Sequence, residues 1–250
     1  MPEWYGRMTE ARDAAARTVE LENGLAAVRR RIVAATKASG RADVPTLIVV
    51  TKFHPAEDIR RLAALGVRDV GENRDQEASA KADALHDLGL NWHFVGQLQS
   101  KKAKSVVRYA HAVHSVDRPQ LVDGLARAMA IEQDRSGRAA LDCFIQVSLD
   151  DDAGAHRGGA APAEVPSLAE QLASAGGLVL AGVMAVAPLG TAPEAAFEKL
   201  AAISARLTAD HPDATGISAG MSQDLEVAIR FGATHLRIGS DILGSRPAVG

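Results

Sequence analysis

The sequence predicts an α/β protein, a single (β/α)8 TIM barrel with an extra helix at its amino terminus. Strand and helix patterns alternate along the chain, which favours a parallel sheet covered by helices. Eight candidate strands can be counted, and the 250 residues match the roughly 250 residues that are usual for such a barrel. A doubly wound open sheet is the alternative, but no Gly-x-Gly-x-x-Gly motif follows the first strand.

The first element is a helical pattern over residues 9–38, which Gly40 ends. Its apolar residues at helical spacing are Leu21, Leu25, Val28 and Ile32. This helix precedes the first strand, so we expect it to pack against the outside of the barrel. The helix and the barrel, over 46–246, would form one domain spanning 1–250.

Eight short apolar segments then predict the strands. They are 46–51, 67–70, 91–95, 111–114, 140–147, 178–184, 214–218 and 234–238. Helical patterns separate them near 56–65, 74–88, 99–108, 118–134, 163–175, 193–209 and 222–231, and a short last helix is expected after Gly239. The segment from Asp150 to Pro166 is rich in Gly, Ala and Asp and predicts a mobile loop after the fifth strand.

Composition excludes several classes of function. A net charge of -3, from 28 basic and 31 acidic residues, gives no electrostatic case for binding nucleic acid or an anionic membrane. The single Cys143 rules out an intrachain disulfide and is expected in the core. The amino terminus does not resemble a signal peptide. We therefore expect a cytoplasmic protein. We also expect a monomer.

Lys52 is the most informative residue. It ends the apolar, β-branched run Leu47–Thr51, and His54-Pro55 turn the chain immediately afterwards. An ammonium is costly to bury without a partner. A lysine in this position snorkels to water, pairs with an anion, or reacts as a neutral amine.

The ends of the last two predicted strands suggest a phosphate site. Ser218 and Gly220 follow the seventh strand, and Gly239-Ser240 follow the eighth. Barrels often bind phosphate in these two loops and at the start of a short extra helix. Strands one and eight are neighbours in a closed barrel, so Lys52 would lie beside the phosphate. This arrangement fits pyridoxal 5′-phosphate held as an imine, and equally a lysine that contacts a sugar phosphate or forms an imine with one.

The ordered motifs resemble those of the pyridoxal phosphate homeostasis proteins, whose fold is similar to the barrel domain of alanine racemase without its second domain. The motifs include Val50-Thr51-Lys52, Gly71-Glu72-Asn73, His93-Phe94-Val95-Gly96, Gly220-Met221-Ser222 and Arg237-Ile238-Gly239-Ser240. The likeness runs from about Leu21 to Arg246. Thr51, the His156-Arg157-Gly158-Gly159 segment and Leu243 depart from the family's usual residues.

The resemblance implies that Lys52 carries pyridoxal 5′-phosphate as an internal imine. It further implies that Ser218, Gly239 and Ser240 hold the phosphate, that Arg237 faces the pyridine nitrogen, and that Asn73 and Met221 lie near the ring or phosphate. The cofactor-binding residues expected on this basis are Lys52, Asn73, Ser218, Gly220, Met221, Arg237, Ile238, Gly239 and Ser240.

Three polar features have a simpler structural interpretation. Glu72 is expected to pair with Arg74 or a neighbouring lysine, and His93, between Trp92 and Phe94, to be packed and hydrogen-bonded. The histidines show no metal-ligand spacing with carboxylates. A basic run on the fourth predicted helix is expected to be a solvated face or a docking site for an acidic partner; it comprises Lys101, Lys102, Lys104 and Arg108.

Two observations favour a carrier of the cofactor over an enzyme. Related racemases use a tyrosine as the second base, whereas the tyrosines here, Tyr5 and Tyr109, lie at no strand end. An arginine at the ring nitrogen would also weaken the ring as an electron sink. Expected partners are the cofactor, apo forms of enzymes that use it, and free amino acids. The alternatives are a weak racemase and a cofactor-free aldolase-like barrel.

Overall fold

The computed structural model describes residues 3–149, 158–188, 190 and 192–245, with side chains from residue 12 onward. Within these ranges eight parallel strands close into a barrel in chain order, and β1 pairs with β8. The strands are β1 (Thr46–Val50), β2 (Asp69–Glu72), β3 (Asn91–Phe94), β4 (Ala110–Val116), β5 (Leu141–Gln146), β6 (Leu178–Met184), β7 (Gly216–Ser218) and β8 (His235–Ile238). The (β/α)8 prediction is confirmed.

Helices follow the strands and cover the outside of the barrel. They are α1 (Glu3–Ala38), α2 (Ala56–Ala64), α3 (Asp75–Ala84), α4 (Ala103–Val106), α5 (Pro119–Ser136), α6 (Val165–Ser174), α7 (Pro193–Asp210), α8 (Leu225–Arg230) and α9 (Ser240–Leu243). Short 3-10 turns lie at His86–Leu88, Ser100–Lys102 and Pro162–Glu164. No helix in the described ranges is long and apolar enough to cross a bilayer.

Several boundaries differ from the prediction for local reasons. The α1 helix begins at Glu3 rather than residue 9 and continues through Gly6. The β2 strand starts at Asp69 rather than at 67, because the Val67 amide turns back to the Leu62 carbonyl and closes α2.

The described part of the predicted loop 150–166 contains regular structure. Ala160 bridges to Val147, the 3-10 turn follows, and α6 begins at Val165. The remainder of that prediction, residues 150–157 with His156 and Arg157, lies outside the described residues.

Apolar side chains form two layers. The outer layer lies between strands and helices and includes Val49 and Cys143, both fully buried. The predicted face of α1 belongs to it; its buried members are Leu21, Leu25, Val28 and Ile32. Each such burial contributes roughly 1.5–3 kcal/mol. Inside the barrel a smaller cluster contains Ala112, Phe144 and Met184, so the interior is shared with polar residues.

The α1 helix packs against α2, α8 and α9. At Gly24 the contact is close enough that a Cβ would lie 2.9 Å from the backbone oxygens of Asp241 and Ile242. Arg17 adds hydrogen bonds to the Asp58 carboxylate and to the Leu243 carbonyl. The extra helix thus supports the end of the barrel where β8 leads into α9.

Candidate functional site

Lys52 follows the carboxyl end of β1, two residues after Val50. Val49 packs in the outer layer, so the alternation of a strand turns Ile48 and Val50 inward. A Cβ on Gly71 of the neighbouring strand would lie 3.1 Å from Ile48 Cγ2 and 3.4 Å from Val50 Cγ2. Continuing the alternation directs Lys52, which is half-buried, toward the opening above these residues.

A buried ionic network fixes the backbone on both sides of Lys52. Lys81 Nζ lies 2.7 Å from Glu72 Oε1 and 2.6 Å from Glu77 Oε1, and it donates to the Thr51 carbonyl at 2.9 Å. Thr51 Oγ1 donates to Glu72 Oε1 at 2.7 Å. Lys81 is therefore the neighbouring lysine that the sequence predicts as a partner of the Glu72 carboxylate.

The residue after Lys52 is held in an unusual conformation by the same network. Phe53 has a φ of 69° and is the non-glycine residue with positive φ in the described ranges. Its amide donates to Glu77 Oε1 at 2.7 Å, and Arg74 lies 5.1 Å above its ring. A left-handed phenylalanine costs backbone energy that the surroundings must supply, which is typical of a site where a side chain has to be aimed.

Glu72 keeps an uncommitted oxygen in this network. Burial raises the pKa of its carboxyl group, and the adjacent Lys81 ammonium partly opposes that effect. Glu72 Oε2 and Asn73 Oδ1 are buried without a hydrogen-bond partner among the described residues. Asn73 also lines a cavity of about 530 Å³ between the loops that follow β2 and β3. Unsatisfied buried acceptors at a strand end suggest a place for a ligand that donates hydrogen bonds.

The loops after β7 and β8 meet at two hydroxyl groups. Ser222 Oγ and Ser240 Oγ lie 3.2 Å apart, both in exposed positions. Gly239 precedes Ser240, and a Cβ there would approach the Val50 carbonyl oxygen to 3.0 Å. Gly220 has a φ of 94°, where a Cβ would lie 2.7 Å from Ala228 Cβ. Both glycines thus let backbone run where a side chain does not fit.

Arg31 of α1 braces this pair of loops. Its guanidinium contacts Glu226 of α8 at 2.7 Å and Asp241 of α9 at 2.6 Å, and it donates to the Ser222 carbonyl at 2.9 Å. Asp224 precedes α8 and accepts from the Met221 amide at 2.6 Å, which holds the turn between β7 and α8. The sequence offered no sign that a residue of the leading helix would reach the candidate site.

Arg237 is buried inside the barrel and pairs in register with Ile48 of β1. It donates to Ser218 Oγ at 2.6 Å and to the Ala185 carbonyl at 2.9 Å. Burial lowers the pKa of its guanidinium to about 10, so it remains a cation at neutral pH. A buried cation held by neutral acceptors can bind a further acceptor such as a ring nitrogen.

The other predicted site residues fall into three environments. Ser218 is fully buried in β7, and its hydroxyl is shared between Arg237 and His114 Nδ1, which lies 2.8 Å away; the sequence had placed this hydroxyl on a phosphate. Ile238 is buried in the outer layer, so only its backbone can face the site. Met221 is 38% exposed at the rim.

His93 is the packed histidine that the sequence suggested. It is buried and lies 3.0 Å from Asp69 Oδ1 and 2.9 Å from His114 Nε2. His114 carries no motif of its own in the sequence, but it lies two residues after the inward-facing Ala112 on β4, which puts it on the same face. Among the described residues no group of histidine, cysteine and carboxylate side chains could hold a metal ion.

The family comparison defines the class of protein. The alanine racemase N-terminal domain family matches residues 24–247, which includes every strand and loop described above. The chain therefore belongs to this family of barrel domains.

Similar proteins identify the family within this class. A "Pyridoxal phosphate homeostasis protein" of Mycobacterium tuberculosis is 43% identical over 246 residues, covering 92% of this chain and 94% of its own. The structure of PipY from Synechococcus elongatus without PLP superimposes with a TM-score of 0.77 at 34% identity, covering 90% of this chain and all of PipY. The structure of PipY with PLP bound superimposes with a TM-score of 0.74 at 33% identity, with the same coverage of both chains. The chain belongs to the pyridoxal phosphate homeostasis protein family.

The fold extends to larger enzymes. Alanine racemase from Streptomyces coelicolor has a TM-score of 0.72 at 17% identity, covering 92% of this chain but 59% of the racemase. At this identity the likeness concerns the fold alone.

Proposed function

We propose that this protein binds pyridoxal 5′-phosphate and serves in homeostasis of that cofactor by buffering or delivering it. The observation that carries the proposal is a lysine at the end of β1, beside a glycine–serine cradle at the end of β8 and above a buried arginine. We further propose that residues 1–250 act as one cofactor-binding domain and as a monomer. The name of the relatives and the PLP-bound form of PipY support the proposed binding of pyridoxal 5′-phosphate.

The phosphate would lie against the loops after β7 and β8. Ser222 and Ser240 supply adjacent hydroxyl groups. Gly239 lets the backbone pass close to the Val50 carbonyl at the end of β1. The start of α9 offers amide groups to an anion. Because Ser218 is committed to Arg237 inside the barrel, we assign the phosphate to Ser222 rather than to Ser218, together with Gly220, Gly239 and Ser240.

Arg237 would face the pyridine nitrogen and Lys52 would hold the cofactor covalently as an imine. Arg237 lies in β8, which pairs with β1, and Lys52 follows the carboxyl end of β1, which supports this assignment. Asn73, with its unsatisfied Oδ1, and Met221 would contact the ring from the rim. The cofactor would supply an aldehyde that amines attack and a ring that can withdraw electrons. A permanent cation opposite the nitrogen keeps that nitrogen unprotonated and weakens the ring as an electron sink.

We propose that the protein does not turn over amino acids. Racemisation needs a base on each face of the bound ring. We do not assign the second base to Tyr109, because it precedes β4 rather than following a strand, and its half-buried hydroxyl donates to Asp75 Oδ1 at 3.4 Å. Burial also raises the pKa of that phenol beyond its ordinary range. The side chain of Tyr5 lies outside the described residues.

The test combines turnover and delivery. With saturating cofactor and a panel of amino acids, α-deuterium exchange and chiral analysis should show no turnover near the median enzymatic rate of about 10 per second. The loaded protein should activate an apo-enzyme that depends on the cofactor, and added free amino acid should speed that release. Turnover near the median rate that Lys52→Ala abolishes would instead establish a racemase.

A further inference from the structure

A continuous hydrogen-bonded chain runs through the interior of the barrel below Arg237. Arg237 Nη1 lies 2.6 Å from Ser218 Oγ, which lies 2.8 Å from His114 Nδ1. His114 Nε2 lies 2.9 Å from His93 Nδ1, and His93 Nε2 lies 3.0 Å from Asp69 Oδ1. Asp69 is the first residue of β2, so the chain connects the amino end of the barrel with the level of Arg237.

The chemistry of its two ends fixes the direction of every bond. Arginine can only donate and an ionised carboxylate can only accept. Because Asp69 can only accept, a neutral His93 donates to it through Nε2–H and keeps its Nδ1 bare. A neutral His114 then donates from Nε2 to His93 Nδ1, and its own bare Nδ1 accepts the single proton of Ser218, whose oxygen accepts from Arg237.

The surroundings keep the central histidine neutral. His114 is fully buried and stacks on Phe144 at 4.3 Å between ring centroids. Burial, followed by the neighbouring His93 and Arg237, lowers the pKa of His114 well below its ordinary value. His235 lies 6.2 Å from the His114 ring, and His111 lies 5.7 Å from the His93 ring and 3.7 Å from Asp142.

The acidic end remains ionised. Burial tends to raise the pKa of Asp69, but hydrogen bonds from His93 and Asn91 outweigh that effect and lower it. Its side chain is 23% exposed. Arg237, whose other hydrogen-bond partner in the described ranges is the neutral Ala185 carbonyl, is linked by hydrogen bonds to a carboxylate through this chain, whereas the Asp224 carboxylate acts on it through space.

We propose that Ser218, His114, His93 and Asp69 form a relay that positions Arg237 and compensates its charge from the opposite end of the barrel. None of the four needs to touch the cofactor, so they are positioning residues. Their effect on the bound cofactor rests on the function proposed above, whereas the direction of the relay is a property of the protein alone.

The first test uses the cofactor-free protein. Nitrogen-15 NMR of labelled histidines at neutral pH should show His114 with a protonated Nε2 and a bare Nδ1, and His93 with the same tautomer. In Ser218→Ala, Asp69 still fixes the tautomer of both histidines, but the bare Nδ1 of His114 has lost its donor, so its nitrogen-15 resonance should move to the position of an imidazole nitrogen without a hydrogen bond. A proton on Nδ1 of His114, or a doubly protonated ring, would overturn the relay.

The second test uses the loaded protein and a matched pair of serines. Ser115 is as fully buried as Ser218, but its hydroxyl has no hydrogen-bond partner among the described residues. Loss of the relay makes the ring site more positive, so Ser218→Ala should move the pH midpoint of the visible band downward by about half a unit. It should also weaken cofactor binding about tenfold, the effect of leaving a charged donor unpaired.

Ser115→Ala should leave both the midpoint and the affinity unchanged. Asp69→Asn keeps an acceptor for His93 and removes only the charge, so it should give a smaller shift in the same direction and remains informative if Ser218→Ala fails to fold. Equal midpoints for all three variants and the parent would overturn the relay. A parent without any visible band would refute the proposed function, while the NMR tautomers would still decide the relay.

Discussion

Ser222 Oγ lies 3.2 Å from Ser240 Oγ, although the two residues are 18 positions apart in the chain. One follows β7 and the other begins α9, so the contact closes the seam between the last two strands of the barrel. Glycines at 220 and 239 let these loops pack closely against α8 and β1, where a Cβ would approach Ala228 or the Val50 carbonyl. We interpret this pair of hydroxyls as the centre of the proposed phosphate site.

An acidic substitution at this pair should repel the phosphate. We expect Ser240→Asp to weaken binding of pyridoxal 5′-phosphate by 100-fold or more, roughly 3 kcal/mol, because a carboxylate would replace a donor against a dianion. Unphosphorylated pyridoxal should bind weakly to the parent and be little affected by the change. Equilibrium dialysis of both ligands checks this, with Ser174→Asp on exposed α6 as the control. Equal affinity of the parent for the two ligands would refute the phosphate site.

The ion pairs and the hydrogen bond of Arg31 in α1 should strengthen binding of the same ligand. Arg31→Gln removes the ion pairs to Glu226 and Asp241 and loosens the Ser222 carbonyl. The pairs are partly exposed, so each is worth only about 0.2–1 kcal/mol, and we expect a threefold to tenfold loss of cofactor affinity, or roughly 1 kcal/mol. Arg30→Gln at the exposed neighbouring position should bind as the parent does. An identical affinity for Arg31→Gln in a titration would show that α1 does not support the site.

The buried network beside Lys52 should be required for stability. Lys81→Met removes the ammonium that lies 2.7 Å from Glu72 and 2.6 Å from Glu77. Breaking one partner of a buried pair leaves an uncompensated charge, and we expect a loss of about 3–5 kcal/mol in urea unfolding. Adding Glu72→Gln should restore part of it, because the orphaned carboxylate is then neutral. A double variant no more stable than Lys81→Met would argue against this electrostatic account.

Acid should destabilise the protein through its interior histidines. Burial, with the neighbouring His93, lowers the pKa of His235 to about 4 from 6.5, so folding keeps this ring neutral while the unfolded chain protonates it. Stability from this group is complete above about pH 6.5 and is lost as pH falls toward 4, by roughly 3 kcal/mol. His235→Gln should therefore reduce the difference in unfolding free energy between pH 7.5 and 4.5, whereas His86→Gln at an exposed site should not. An unchanged difference in His235→Gln would exclude His235 as the cause.

The sequence was sufficient for the architecture because the alternation of strands and helices is a local signal. It was also sufficient to predict that Lys52 follows the end of the first strand, since a β-branched run comes directly before it and a turn directly after it. The ends of elements were harder to predict. Valine is a residue type that is common in strands, yet the amide of Val67 donates to the Leu62 carbonyl and closes the preceding helix.

The partners of the site residues could not be predicted from local patterns, because they depend on contacts across the barrel. Ser218 ends β7 and Ser222 follows four residues later, and only the hydrogen bonds of Ser218 to Arg237 and His114 show that its hydroxyl is engaged inside the barrel. Arg31 lies far from the site in the sequence and reaches it only through the packing of α1 on α9. The direction of the interior relay likewise follows from distances that no motif encodes.

The most direct test of the account is chemical labelling of Lys52. The protein loaded with pyridoxal 5′-phosphate should absorb in the visible range, and borohydride should fix the cofactor on Lys52, as identified by mass spectrometry of peptides. Lys52→Ala should lose the visible band while keeping the fold. A reduced adduct on a different lysine, or a Lys52→Ala protein that retains the same band, would contradict the central claim.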